Sequence, residues 1–153
     1  MSNLTITAKR IATMSESAIE KVRDLETVLM ELPQEPIGTD HVLHGGMYAR
    51  TVMIPAGVAI TGAVIKLATL LIVQGHAQVF TDDGAVELYG YNVIPASAGR
   101  KQAFAAITDT WLTMVFPTEA TSVDQAEDEF TDEADLLFTR CGIGEQRIVI
   151  TGE

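Results

Sequence analysis

The sequence has a single cysteine, Cys141, in 153 residues. No disulfide can form within the chain, and a reducing compartment is expected. Long apolar runs are missing too. The longest, Leu67–Val73, is interrupted by Thr69, far short of the ~20 residues of a bilayer-spanning helix, so no membrane partner is expected. Met1–Arg10 is polar and mixed, without the basic-then-apolar order of a secretory signal. Basic residues are scarce: 10 Lys and Arg stand against 21 Asp and Glu, for a formal charge of −11. Binding duplex depends on neutralising phosphates with Lys and Arg, so direct contact with nucleic acid is not expected either. No Pro/Ser-rich linker divides the chain, and one domain is the expectation at this length.

Apolar residues make up 47% of the chain, enough for a real core. Ser17-x-x-Glu20 has the form of a capping box. After it Ile19, Val22, Leu25, Leu29 and Leu32 recur every three or four residues. This predicts an amphipathic helix over about 17–32, stopped by Pro33 and Pro36. Its apolar stripe must lie on its own barrel or on a neighbouring subunit. From Tyr48 to Phe116 the texture changes to short β-prone runs: Arg50–Ile54, Val58–Thr61, Leu67–Val73, Ala77–Thr81, Val86–Leu88, Tyr91–Ile94, Lys101–Ala106 and Thr110–Phe116. Turn signals part them, among them Gln74-Gly75, Gly90 and the hairpin signal Asp82-Asp83-Gly84. About eight short strands at such spacing predict an antiparallel sandwich or barrel.

Acidic residues crowd 119–135, and no basic residue lies between Lys101 and Arg140. Such a run reads as a solvated helix face or tail. Val123, Ala126 and Phe130 give Asp124–Leu137 a helical stripe. Leu136–Arg140 and Gln146–Thr151 read as two further strands, the last of which completes a sheet of this chain or of a neighbour.

An ordered set of turns then adds a resemblance. Gly45-Gly46-Met47-Tyr48-Ala49-Arg50, Ile54-Pro55-Ala56-Gly57 and Thr61-Gly62 come first, preceded by Leu32-Pro33-Gln34 and Thr39-Asp40-His41. Gly75-x8-Gly84, Pro95-x3-Gly99-x-Lys101 and Asp109-Thr110-Trp111-x-Thr113 follow. Across roughly residues 17–137 this resembles the cupin-like proteins of tailed bacteriophages and prophages. The resemblance implies a mainly β fold, a double-stranded β-helix (cupin/jelly-roll) barrel with an N-terminal helix and a C-terminal extension. It implies a division into an N-terminal arm (1–16), the helix (17–36), the barrel (37–118) and an acidic segment with terminal strands (119–153). It also shows departures. Where metal-binding cupins place histidines, this chain has Ile65, Ala68 or Thr69, and Val115 or Phe116. These are mostly apolar side chains that cannot ligate a metal. An interior lined by Ile65, Leu67, Leu70, Ile72, Val115 and Phe116 would be a filled core. No catalytic, cofactor-binding or metal-binding residue is expected at that centre.

Other candidates read more weakly. Asp40, His41 and His44 cluster before the first expected strand, but no companion completes a tetrahedral site. Loop or interface hydrogen bonding suits them better. His76 reads as an exposed strand residue, and Trp111 as core or barrel rim. Cys141 has only Arg140 as a basic neighbour, which suits an incidental thiol. Ser97 lies outside any G-x-S-x-G elbow. Arg100-Lys101 could meet an acidic partner or form an ordinary surface turn.

The resulting expectation is a non-enzymatic structural protein of a phage particle, a capsid decoration or cement protein located in the virion. Its partners would be a major capsid protein and itself, as a homodimer or homotrimer. The candidate interface residues are Ile19, Val22, Leu25, Leu29 and Leu32, the pair Arg100 and Lys101, and Arg147, Ile148, Val149 and Ile150. A small-molecule- or sugar-binding jelly roll or divergent cupin enzyme, or a tail or accessory virion component, are the alternatives.

Overall fold

The computed structural model describes residues 10–153; the expected N-terminal arm lies mostly outside the described residues. Helix α1 (Glu16–Met30) precedes seven strands: β1 (Thr39–His44), β2 (Met47–Ile54), β3 (Ala59–Thr61), β4 (Thr69–Thr81), β5 (Gly84–Ala96), β6 (Ala103–Ala106) and β7 (Thr110–Pro117). Helix α2 (Val123–Phe130), a 3-10 turn (Ala134–Leu136) and β8 (Gln146–Ile150) follow. The protein is mainly β, a curled jelly-roll sheet with an N-terminal helix, as the sequence predicts. Among the described residues no helix is long and apolar enough to cross a membrane.

The curl originates in β4. Its first half, Leu70–Gln74, pairs with β7, and its second half, Ala77–Val79, pairs with β6. One half-sheet thus runs β4-β7-β2-β1-β8 and the other β4-β6-β3, while β5 lines the other edge of β4 throughout. Among the described strands all pairings are antiparallel except β1 with β8, and an isolated parallel bridge joins Ile11 to Ala96. Gly75 sits at the branch, with φ at +141°, and a Cβ there would stand 2.7 Å from the Asp109 carbonyl oxygen. The sequence suggested turns at Gln74-Gly75 and at Gly90. Instead these glycines face each other within the β4–β5 hairpin, bending two 13-residue strands where the sheet must fold over. Four expected strands are therefore two long ones. The Asp82-Asp83-Gly84 hairpin is where it was predicted.

Side chains of β4, β5, β7 and β2 alternate in and out. Tyr48, Ile54, Val73, Val79, Leu88, Ile94 and Phe116 meet in one buried core. Helix α2 closes it, as its stripe predicts: Val123, Ala126 and Phe130 are buried, and Phe130 meets Phe116 edge-on at 6.1 Å. That helix ends at Phe130 and does not continue to Leu137, because Thr131 turns extended.

Helix α1 begins one turn-fraction earlier than the capping box suggested. Ser15 is the N-cap, its hydroxyl accepting from the Ala18 amide, while its own amide donates to Asp82 at the β4–β5 turn. Met14, Ala18, Ile19, Val22 and Leu25 pack on Phe80 and Ala103, which face outward from the β4-β6-β3 half-sheet. The helix therefore lies on its own barrel. Leu29 is half-buried and Leu32 is exposed.

Two other expectations change. Thr39–His44, read as a loop, is β1, joined to β2 by the Gly45-Gly46 turn with φ of 59° and 72°, the positive values a two-residue hairpin needs. Leu136–Arg140, read as a strand, forms consecutive turns in which the Cys141 amide donates to the carbonyls of Leu137 and Phe138. Local hydrogen bonds satisfy this backbone before any sheet can.

Candidate functional site

A closed ring of polar side chains fastens the C-terminal segment to the barrel. At its centre Glu127 is 1% exposed on the inner face of α2. It accepts from Arg50 Nη1 at 2.8 Å, from Arg140 Nε at 2.9 Å and from the Thr139 hydroxyl. Arg50 also donates to the Tyr48 hydroxyl at 3.3 Å. Tyr48 Oη lies 2.6 Å from His41 Nδ1, and His41 Nε2 lies 2.9 Å from Gln146 Oε1. The Gln146 amide donates to the Thr139 carbonyl and closes the ring. With the Tyr48 O–H donating to Nδ1 and the Nε2–H donating to Gln146, every polar group is satisfied by a neutral His41. Burial and the nearby Arg50 charge hold His41 below 6.5. Burial alone would push Glu127 up, but the hydrogen bonds from Thr139, Arg50 and Arg140 outweigh it and hold the carboxyl below 4.5. The ring is a fastening, with no side chain left free to attack or to exchange a proton.

The basic pair Arg100-Lys101 is not available as a surface contact. Arg100 is 1% exposed and points into the barrel. It donates to the carbonyls of Leu67 and Ser97, to Thr69 Oγ1, to Gln102 Oε1 and to the Met114 sulfur. Burial lowers its pKa to about 10. Lys101 turns the other way, under α1, to Glu26 at 3.0 Å and the Gly62 carbonyl at 2.8 Å. The two side chains face opposite sides just before β6, so one cation enters the core and the other fixes the helix.

The positions that the resemblance assigns to metal ligands scatter. Ile65 and Phe116 join the core, Thr69 accepts from Arg100, and Val115 faces outward. Leu70 and Ile72, expected inside, also point outward, since β4 places Leu71 and Val73 in the core instead. Apolar side chains fill the core around the buried Arg100 guanidinium.

No family model matches the chain, and no curated protein matches it. Solved structures do. The chain is similar to a cupin superfamily protein from Desulfitobacterium hafniense at 17% identity, over 60% of this chain and 86% of that one, with a TM-score of 0.46. It is similar to the cupin domain of Schizosaccharomyces pombe Cnp3 at 15% identity, over 60% and 67%, with a TM-score of 0.45. It is similar to the Cupin_2 domain of an XRE family transcriptional regulator from Enterobacter cloacae at 8% identity, over 54% and 99%, with a TM-score of 0.44. The fold assignment stands on the strand pairing described above.

The outer face of the β4-β7-β2-β1-β8 half-sheet is a feature the sequence reading passed over. Here the register lines up Tyr91 and Val93 of β5, Leu70 and Ile72 of β4, and Trp111 and Val115 of β7. Met53 and Met47 of β2 continue it, then Val42 of β1 and Val149 of β8. Tyr91 is 66% exposed and Trp111 48%. Charges stand only at the rim, where Asp40 and Arg147 pair at 3.7 Å. The signal in the sequence was the unbroken run Leu70–Val73. An alternating strand has one polar face, whereas a strand apolar on both faces is covered on both.

The terminal strand completes this chain's own sheet, pairing with β1 from Thr39–Gln146 to Leu43–Ile150. Ile148, Val149 and Ile150 remain about half exposed. His44 Nδ1 meets the Thr151 hydroxyl at 2.7 Å. His76 stacks on Tyr89 and bonds Glu87. Cys141 is exposed.

Proposed function

We propose that this protein is a non-enzymatic structural component of a phage particle, a decoration protein that docks repeatedly on a major capsid protein and so stabilises the shell. The resemblance of its ordered turn motifs to phage cupin-like proteins supports the phage context. The observation that carries the structural role is the apolar character of two of the positions where the resemblance implies metal ligands. Ile65 and Phe116 occupy family ligand positions inside, while the exposed apolar area lies on the outside of the sheet. A barrel of this kind recognises through its surface. Of the interface candidates, Leu32 and the edge strand Ile148–Ile150 stay accessible, and an edge strand offers backbone hydrogen bonds to a capsid strand. The exposed acidic residues of the segment 119–135, among them Glu119, Asp124, Asp128, Asp132 and Asp135, face solvent or basic capsid residues; in the second case attachment weakens with salt.

Purified particles from the producing host test the reading. Stoichiometric copies of this protein on the shell are expected, and shells lacking it should disrupt at lower temperature. Particles that carry none of it would overturn the proposal.

A further inference from the structure

We infer that the outer face of the β4-β7-β2-β1-β8 half-sheet is a dimer interface, and that its occupant is the same face of a second copy of this chain. The two halves of the sheet differ in one respect. The outer side of β4-β6-β3 is covered by α1, through Val22 and Ile19 on Phe80 and Ala103. Among the described residues no helix covers the larger half, where Leu70, Tyr91, Val93 and Trp111 are exposed. Six strands about 4.8 Å apart and some five residues long present roughly 450 Å² in flat projection. A standard interface takes ~800 Å² per partner, and an apolar patch of about 300–600 Å² on a monomer is often functional. The face's enrichment in aromatics and Met, with charge only at the rim, is the composition of an interface centre.

Shape and charge select the occupant. At one end of the face Trp111 and Tyr91 project, flanking Gln74 across three strands. At the other end Met47, Leu70, Val115 and Pro117 line an open groove of about 270 Å³. A two-fold axis lying in the interface and crossing the strands near Thr51, Thr113 and Ile72 lays the aromatic end of each copy over the groove of the other. The face is thus its own complement, the condition for an isologous dimer, and two twisted sheets pack well in this way. The chain carries −11, a like charge that opposes self-association, but the centre of the face is uncharged and its charged residues Asp40 and Arg147 pair with each other at the rim.

This inference does not depend on the particle role, because the purified full-length protein tests it alone. Trp111 is the only tryptophan, so its emission reports the interface directly. Sedimentation at 10–100 µM should give twice the 16.5 kDa chain mass. Dilution should shift the tryptophan emission to the red, and added salt should tighten association by screening the net charge. Leu70→Lys and Trp111→Ala should each raise the dissociation constant at least 100-fold while leaving circular dichroism and the melting profile of the monomer unchanged. Val28→Lys, on the exposed side of α1, should leave the dimer intact. A wild-type monomer throughout that range would overturn the inference. So would a dimer indifferent to both face substitutions, or one that salt dissociates.

Discussion

Replacing Glu127 by Gln keeps the shape of the buried ring and removes its charge. In the wild type this carboxylate faces two guanidinium groups, and the Arg50 and Arg140 side chains are 13% and 21% exposed. Removing one partner of a buried ion pair costs about 3–5 kcal/mol. Partial solvent access lets the two arginines recover some hydration, which favours the lower end, ~3 kcal/mol. For a chain of this size ~1 kcal/mol lowers Tm by about 2–4 °C, so a fall of roughly 6–12 °C is expected. Urea unfolding of wild type, Glu127→Gln, Arg50→Met and the double variant should give a coupling energy of about 1.5–3 kcal/mol. The pH dependence has a definite sign. The folded carboxyl titrates below its ordinary 4.5, so its contribution is complete above that value. It is lost as pH falls through the lower folded value, and Glu127→Gln should lack this acid slope. A Gln variant within ~1 kcal/mol of wild type, or a purely additive cycle, would refute the reasoning.

Two further outcomes follow from the same geometry. His41 titrates below its ordinary 6.5 in the fold, so stability should be complete above that pH and decline as pH falls through the lower folded value. Thermal melts between pH 7.5 and 5 should show this slope in wild type and a flatter one in His41→Gln, and equal slopes would count against the neutral ring. Gly75→Ala places a methyl 2.7 Å from both the Asp109 carbonyl oxygen and Thr110 Oγ1 at a φ that alanine avoids. It should cost at least ~2 kcal/mol by denaturant titration, whereas Gly57→Ala, which meets nothing within 4 Å, should cost less.

What could be read from the sequence depended on whether a residue's pattern has one physical meaning. Val123, Ala126 and Phe130 spell a helix face and nothing else. Glu127 shares that face, so its burial was legible in the spacing, but its charge made the solvated reading easier. Glycine is ambiguous. At Gly84, after Asp82-Asp83, it opens β5 at a hairpin, and at Gly75 and Gly90 it bends a strand that continues. Arg100 and Lys101 looked like a surface pair because they are adjacent and charged. Only the partners supplied from distant segments, Leu67 and Thr69 on one side and Glu26 on the other, make burying them tolerable. The outer face hid because the run Leu70–Val73 is apolar in both parities, and the sequence reading puts Leu70 and Ile72 inside where Leu71 and Val73 lie.

The pairing of β8 with β1 bears on the order in which the protein is made. The β4–β5 hairpin closes around Asp82-Asp83, joining Thr81 to Gly84, and such a contact forms within microseconds. Thr39 meets Gln146 only after the whole barrel and α2 have been synthesised between them, and contacts so distant along the chain slow folding. On a ribosome, β1 therefore waits with one edge unpaired, and the Tyr48–His41 pair waits with it for Gln146. The last strand to emerge acts as a latch, and a chain stalled before it would carry its barrel open on the side where its first strand lies.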